Sequence, residues 1–372
     1  MKYPLILATD VYGGRGGIAL YSKHLINALC QIKQITEITV LARKSSYQIK
    51  EIPKKVVFKN KATNSILNYL FYFTKFFFGN KKYDIIFCCH IHLIPFSWLL
   101  SLKYNCPTVL IIYGEEAWVP TKYKFANFLC RKINFLITIR PYTAKKFVKW
   151  SKFTIKKNNY FCLPNCVADD KYGLKRKNME LVKKYNLEKK KIIISCGRLD
   201  VEDKYKGIDE IIEILEDLSK KVKHLIYIVI GDGNDKKRLY EKAKFLKVDH
   251  LVIFTGYLSE KEKVDYYRLG NLMAMPGSRK NFDRYPYRFV FLEGLASGMK
   301  VVCSNLKDRS EINDPNVKML IQVNPFNRTD MINKIVKAIK EKKYIHPLIK
   351  KFYFSSFKNK FDKIFSTIQE NT

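Results

Sequence analysis

The chain has 372 residues, of which 47% are hydrophobic, and a formal net charge of +35. This length exceeds the usual size of one core, so two domains of roughly 150 to 200 residues are expected. Nine cysteines, an odd number without CxxC spacing, argue against a disulfide framework and a metal site, and indicate a reducing compartment. No run approaches the ~20 apolar residues of a membrane span, and the N-terminal apolar stretch is too short for a signal peptide. A cytoplasmic protein, soluble or peripheral, is expected.

The positive charge permits three interpretations. Basic surfaces bind nucleic-acid phosphates, but the lysines are spread along the whole chain and no nucleic-acid-binding motif accompanies them, so no nucleic-acid partner is expected. Attraction to an anionic membrane, at the inner face of the cell membrane, is the better partner hypothesis. A solvated surface without any partner is an equal alternative.

Short apolar runs alternate with stretches of helical length, which predicts parallel βαβ units. The runs of the first half are PLILAT, ITVLA, DIIFCC, TVLIIY and FLITI. After a polar stretch near residues 165–178 they resume with KIIISCG, LIYIVIG, LVIFTG, NLMAMPG and KVVCS. The fold class is therefore α/β with two doubly wound, Rossmann-like domains, residues 1–168 and 169–348. Residues 349–372 should form a helix packing back on the first domain. Ligands in such sheets bind beyond the carboxyl ends of the strands, so the active site is expected in a cleft between the domains.

The segment SILNYLFYFTKFFFG, Ser65 to Gly79, is unusually aromatic. A helix of this composition can lie in a membrane interface, with its lysines on anionic lipid. It is equally compatible with a buried helix of the first domain.

Three places along the chain combine residues suited to phosphate and sugar chemistry. The first is the turn GGRGG, with Gly16 and Gly17, which opens into a helix whose N–H groups can meet an anion, although many such turns are only turns. In the second, Arg198 follows a strand and Lys206 lies eight residues later. Two cations on one loop can neutralise a pyrophosphate leaving group, so no metal-binding motif is needed there. The alternative is that both residues are ordinary surface charges of a lysine-rich chain. Third, Glu293 can accept both hydroxyls of a ribose, or is an acid near a helix start.

At the level of motifs the chain resembles family-4 glycosyltransferases, in order and nearly end to end. The blocks are GGRGGIALYSKHL, CCHIHLIPFSWLL, IIYGEEAWVP, LPNCVADDKY, GRLDVEDKYKGID, IVIGDG, VIFTGYLSEKEKVDYYRLGNLMAMPGSR and FVFLEGLASGMKVV. The resemblance implies the GT-B fold, a UDP- or GDP-sugar donor held mainly by the second domain, an acceptor on the first, and retention of the anomeric configuration without a metal or other cofactor.

The resemblance also implies roles for individual residues. Gly16 and Gly17 would face the donor phosphates, Arg198 and Lys206 would hold the diphosphate, and Glu293 would hold the ribose. The backbone at Tyr257 and Leu258 would meet the base. A histidine after the DIIFCC strand would contact a donor hydroxyl or the leaving phosphate, so His90 is predicted as catalytic and His92 as its weaker alternative.

Two positions depart from the family pattern. The family has a pair of glutamates, the first of which contacts the donor sugar, and Tyr285 stands in the place of that first glutamate. Arg288 replaces a glycine of the same pattern. Asp283, two residues before Tyr285, could supply the missing acid if the loop is shifted. Tyr113 stands in place of a histidine near the reacting centre, while Glu116 is retained.

The resemblance favours front-face transfer of a hexosyl group to a glycan or lipid-linked acceptor in cell-surface polysaccharide or glycolipid assembly. Catalysis then comes chiefly from stabilising the leaving group and from positioning. Tyr113 and Tyr285 motivate the alternative, a catalytically silent protein of the same fold that binds a sugar nucleotide or supports a partner enzyme.

Overall fold

The computed structural model describes residues 2–49, 51–278, 289–304 and 319–372. The chain forms two compact units. The first comprises Met1–Cys166 and Phe354–Thr372, and the second comprises Val167–Tyr353. The observed divisions thus lie at 166/167 and 353/354, where the sequence analysis placed them at 168 and 348.

The first unit is a seven-stranded parallel sheet in the order β3-β2-β1-β4-β5-β6-β7. Its strands are β1 Pro4–Asp10, β2 Ile38–Lys44, β3 Val56–Phe58, β4 Ile85–Cys88, β5 Thr108–Ile112, β6 Phe135–Thr138 and β7 Tyr160–Cys162. The helices of this unit are α1 Gly17–Cys30, α2 Ile66–Phe78, α3 Ile94–Tyr104, α4 Lys124–Leu129, α5 Pro141–Ser151 and α12 Phe354–Glu370.

The second unit is a six-stranded parallel sheet in the order β10-β9-β8-β11-β12-β13. Its strands are β8 Lys191–Cys196, β9 Leu225–Ile230, β10 Val252–Gly256, β11 Leu272–Met275, β12 Lys300–Ser304 and β13 Leu320–Val323. The helices are α6 Met179–Lys184, α7 Ile208–Lys221, α8 Lys236–Phe245, α9 Glu260–Leu269, α10 Phe289–Ala296 and α11 Arg328–Lys340.

The central strands are apolar at consecutive positions because both faces of each sheet are covered. In β8, Ile192 and Ile194 belong to one core cluster and Ile193 to the other. Strand β9 divides in the same way, with Ile228 in the first cluster and Tyr227 in the second. Such continuous apolar runs are the sequence signature from which the parallel sheets were predicted, and the α/β fold class is confirmed.

The C-terminal helix α12 packs within the first unit, against α1. Its buried side chains include Phe357 and Phe361, and the ring of Phe357 lies 5.6 Å from that of Tyr21 on α1. The chain therefore returns to the unit in which it began.

Candidate functional site

The carboxyl ends of the strands in the second unit are brought together by glycines that allow close backbone approach. A Cβ on Gly231, after β9, would lie 1.9 Å from the carbonyl oxygen of Gly197, after β8. A Cβ on Gly207, at the start of α7, would lie 2.6 Å from the backbone nitrogen of Gly277, after β11. Gly277 in turn leaves room for Ser304 at the end of β12. We call this meeting of loops the carboxyl edge of the second sheet.

Arg198 and Lys206 are joined at this edge by a buried carboxylate, that of Asp203. The Arg198 Nε lies 3.1 Å from Asp203 Oδ2, and the Lys206 Nζ donates to the same oxygen at 2.8 Å. Lys206 Nζ also donates to the carbonyl oxygen of Arg198 at 2.5 Å. The two predicted cations therefore belong to one hydrogen-bonded loop rather than to independent surface positions.

The two cations differ in their exposure to solvent. The side chain of Arg198 is 70% exposed, whereas that of Lys206 is 7% exposed. Burial alone would raise the pKa of Asp203, but the hydrogen bond and charge of Lys206 and the charge of Arg198 hold it below its ordinary value. Asp203 stays ionised at neutral pH and fixes Lys206, which leaves the Arg198 guanidinium as the group that an anion in solvent meets first.

Sequence reasoning missed Asp203. It lies three residues before Lys206 in the short helical turn Val201–Lys206, where side chains three apart share a face. That spacing was the available signal.

Helix α7 begins directly behind this loop. Its first residue follows Gly207, which has a φ of +84°, a conformation that suits glycine. The first turn carries Asp209, whose carboxylate accepts from Arg238 at 2.7 Å and from Lys242 at 2.7 Å. Burial alone would raise the pKa of Asp209, but these two cations lower it to about 2. The acid at the helix start is thus compensated locally, and it does not cancel the charge of Arg198.

Glu293 lies in α10 with its side chain 3% exposed. Oε1 accepts from Lys263 Nζ at 2.9 Å, and Oε2 accepts from the Tyr267 hydroxyl at 3.0 Å. Burial alone would lower the pKa of Lys263, but the carboxylates of Glu293 and Glu260 raise it well above its ordinary value. Glu293 therefore has a structural role that the sequence did not indicate, and a ribose would have to share its oxygens, each of which has a second lone pair.

Two further predicted contacts follow β10. Tyr257 is 52% exposed, and Leu258 is partly buried against the apolar core of the unit. Their backbone is thus at the carboxyl end of an edge strand of the sheet. Tyr285 lies outside the described residues, as do Asp283 and Arg288.

The glycine turn of the first unit leads from β1 into α1. A Cβ on Gly14 would lie 1.9 Å from Asp10 Oδ1, so a side chain there would require the Asp10 carboxylate to move. Gly16, the N-cap of α1, has a φ of +104° and open space around its Cα. Burial raises the pKa of Asp10 to about 6. Gly16 and Gly17 are placed as predicted at a helix start, but the acid beside the turn disfavours an anion unless it is protonated.

His90 follows β4, at the carboxyl end of the first sheet. Its Nδ1 accepts from the backbone N–H of His92 at 3.2 Å, which assigns the ring proton to Nε2. Burial lowers the pKa of His90 to about 4, so the ring is neutral at neutral pH. A neutral imidazole with its proton on Nε2 can donate to a hydroxyl or phosphate oxygen.

Tyr113, in the place of the family histidine, points into the first unit. Its hydroxyl donates to the carbonyl oxygen of Cys89 at 3.2 Å, and its side chain is buried. Glu116 accepts from the backbone N–H groups of Tyr113 and Gly114. Both side chains therefore organise the loop after β5.

No group of three or more His, Cys, Asp or Glu side chains suitable for a metal ion occurs among the described residues. Within the same ranges, no helix combines the length and the apolar character needed to cross a membrane.

Comparison with known proteins agrees with this architecture. Residues 178–353, nearly all of the second unit, match the family model "Glycosyl transferases group 1". The structure of HepE from Anabaena in complex with UDP-glucose superposes with a TM-score of 0.71 at 15% identity, over 99% of the present chain and 100% of that chain.

Two curated relatives are similar over shorter stretches. An O-antigen biosynthesis glycosyltransferase, WclY of Escherichia coli, is 26% identical over 224 residues, 57% of the present chain and 59% of the relative. An alpha-monoglucosyldiacylglycerol synthase of Streptococcus pneumoniae is 28% identical over 131 residues, 35% of the present chain and 28% of the relative. The matches thus span less than two thirds of either relative's length.

The fold is GT-B, with two Rossmann-like units. The likeness to glycosyltransferases is carried in sequence by residues 178–353 of the second unit and by the partial matches to the two curated relatives.

Proposed function

We propose that the protein transfers a hexosyl group from a UDP- or GDP-sugar to a glycan or lipid-linked acceptor, with retention of configuration, as family-4 glycosyltransferases do. The setting is cell-surface polysaccharide or glycolipid assembly, as in the names of the two curated relatives. The donor binds at the carboxyl edge of the second sheet, and the acceptor binds to the first unit.

The observation that supports this proposal best is the loop in which Asp203 joins Arg198 and Lys206. The Arg198 guanidinium is exposed and can form paired hydrogen bonds to phosphate oxygens. The buried ammonium of Lys206 is paired with the ionised Asp203, so one of the two positive charges of the loop is compensated and the exposed charge of Arg198 remains for the phosphates. That charge favours a diphosphate that gains negative charge as the sugar leaves.

In the proposed reaction the bond between the anomeric carbon and the diphosphate oxygen breaks while the acceptor oxygen bonds to that carbon on the same face. The acceptor proton passes to the leaving phosphate oxygen, and no metal ion is needed. His90 donates from Nε2 to a substrate oxygen, Tyr257 and Leu258 meet the base, and Glu293 meets the ribose. Gly16 and Gly17 face the donor phosphates.

Thermal unfolding in a panel of UDP- and GDP-sugars tests donor binding. The midpoint should rise with the concentration of at least one donor, because a ligand that binds only the folded state stabilises it. Sugar nucleotides that stabilise the protein then enter transfer and hydrolysis assays. No stabilisation by any of them would contradict the proposal, and a steeply salt-dependent shift with RNA alone would indicate a nucleic-acid binder.

A catalytically silent sugar-nucleotide-binding protein is the second candidate. Its specific support is Tyr113, whose hydroxyl is committed to Cys89 instead of being offered to a substrate. Donor binding without transfer or hydrolysis, across a panel of acceptors, would favour this candidate.

We also place the protein in the cytoplasm, in peripheral contact with the anionic inner face of the cell membrane. A lipid-linked acceptor would be reached there, and a net charge of +35 is attracted to such a surface.

A further inference from the structure

Helix α2 is apolar on two opposite faces, and only one of them packs against the first unit. Its buried side chains are Tyr69, Phe73 and Phe76, which repeat at helical spacing. On the opposite side, residues open to solvent also recur every three or four positions. We call this side the exposed α2 face; its residues are Leu67, Leu70, Phe71, Thr74, Lys75 and Phe78.

The exposure of this face is large for apolar side chains. Leu67 is 74% exposed, Phe71 is 55% exposed and Phe78 is 78% exposed. Single exposed apolar side chains are ordinary on a protein surface. A contiguous row of them along one helix marks an interaction surface.

Lysines border the aromatic rings of α2. The Lys75 ammonium lies 4.4 Å from the ring centroid of Phe71, and the Lys103 ammonium, on the neighbouring helix α3, lies 5.8 Å from that of Phe77. Aromatic rings with lysines beside them are typical of helices that lie in a lipid interface, where the rings enter the acyl boundary and the ammonium groups reach phosphates.

The chain segment that contains this helix carries charge of one sign. Residues 59–82 contain five lysines and no acid, and the only acid between residues 52 and 114 is Asp84. The Asp84 carboxylate accepts from the backbone N–H of Tyr3 at 2.7 Å, and of the five lysines Lys81 pairs with Glu37. The partner that complements such a surface is anionic.

A second copy of the chain fits this face less well. Two-fold dimers bring the same surface patch of both copies together, which would set the lysines of one α2 segment against those of the other. The repulsion of like charges disfavours that contact. Lipid phosphates carry the opposite charge and attract the same lysines.

We propose that the exposed α2 face docks the protein on an anionic lipid bilayer. Leu67, Phe71 and Phe78 enter the boundary between headgroups and acyl chains, and Lys75 contacts lipid phosphates. The inference rests on the membrane contact of the proposed function and is independent of the transfer reaction.

Vesicle flotation with the full chain tests this surface. The vesicles are phosphatidylcholine alone, or phosphatidylcholine with phosphatidylglycerol. The variant Leu67→Ser/Phe71→Ser/Phe78→Ser removes the apolar face, and Phe245→Ser/Phe326→Ser is the matched control, since Phe245 is 85% exposed and Phe326 is 61% exposed in the second unit. Stabilisation by UDP and by GDP is measured on the same samples.

The wild type and the control should float with the anionic vesicles, and the α2 variant should lose about tenfold or more of its binding. The inference is overturned if the wild type does not bind anionic vesicles or if the α2 variant binds as the wild type does. It is also overturned if the wild type is a dimer in solution that the α2 variant abolishes. Absence of stabilisation by both UDP and GDP in all samples, with flotation as expected, would count against the transferase proposal only.

Discussion

At the scale of single residues, Arg198 and Lys206 carry the same charge in different surroundings. Arg198 is exposed and reaches solvent, while Lys206 is buried and bonded to Asp203 and to the backbone of Arg198. The sequence indicated both cations and their common loop. It did not indicate which one is accessible, because that depends on how the turn from Val201 to Lys206 folds over Asp203.

Glu293 gives a direct test at the same scale. Glu293→Gln removes the buried one of the two carboxylates that compensate the ammonium of Lys263 and leaves it only the exposed Glu260, so the variant should lose about 2 to 3 kcal/mol of unfolding free energy. Urea unfolding followed by circular dichroism measures the loss.

The double variant Glu293→Gln/Lys263→Met serves as the control, since it leaves no unpaired charge in the core. It should recover part of the lost stability. A single variant within about 1 kcal/mol of the wild type would show that the Lys263 pair contributes little, and would return Glu293 to a purely ligand-binding role.

At the scale of elements, the glycines of the carboxyl edge set the distances between loops. Gly207→Ala should cost about 1 to 2 kcal/mol from its left-handed backbone and about 1 to 3 kcal/mol more from overpacking against Gly277. It should also weaken nucleotide binding, because Gly207 lies between Lys206 and α7. Chemical unfolding and nucleotide titration measure the two effects.

Gly173→Ala is the matched control for this substitution. Gly173 also has a positive φ, +118°, but nothing lies within 4 Å of its Cβ position. It should carry the backbone cost alone, without an effect on nucleotide binding. Equal losses of stability in the two variants would show that the close approach of Gly207 to Gly277 is unimportant.

Sequence patterns predicted the inner strands better than the edges. The ten predicted apolar runs correspond to ten observed strands, whereas β3, β7 and β13 were not predicted. These three have only three or four residues and lie at sheet edges. An edge strand is paired on one side only, so it needs neither the length nor the continuous apolar run that makes a central strand visible. The sequence of α2 is compatible with both a core helix and a membrane helix because it is apolar on both faces, and packing decides which face is buried.

At the scale of the whole molecule, each unit has its own parallel sheet and its own core, and the chain ends on the unit where it began. The family match covers the second unit, residues 178–353. The cation loop belongs to this unit, which ties its chemistry to the matched domain. In the first unit His90 and the glycine turn have weaker sequence signals, because a single histidine and a single turn each have ordinary structural explanations.

The central claim is that Arg198 contacts the diphosphate of a nucleotide donor. Calorimetric titration of UDP and GDP into the wild type and into Arg198→Gln tests it most directly, with Lys220→Gln as the control because Lys220 lies in the last turn of the same helix α7. We predict that the wild type binds at least one of the two nucleotides. Arg198→Gln should raise the Kd about 10- to 150-fold, as expected for loss of a charged hydrogen bond, and Lys220→Gln should leave it unchanged. Failure of the wild type to bind either nucleotide, or an unchanged Kd in Arg198→Gln, would contradict the account.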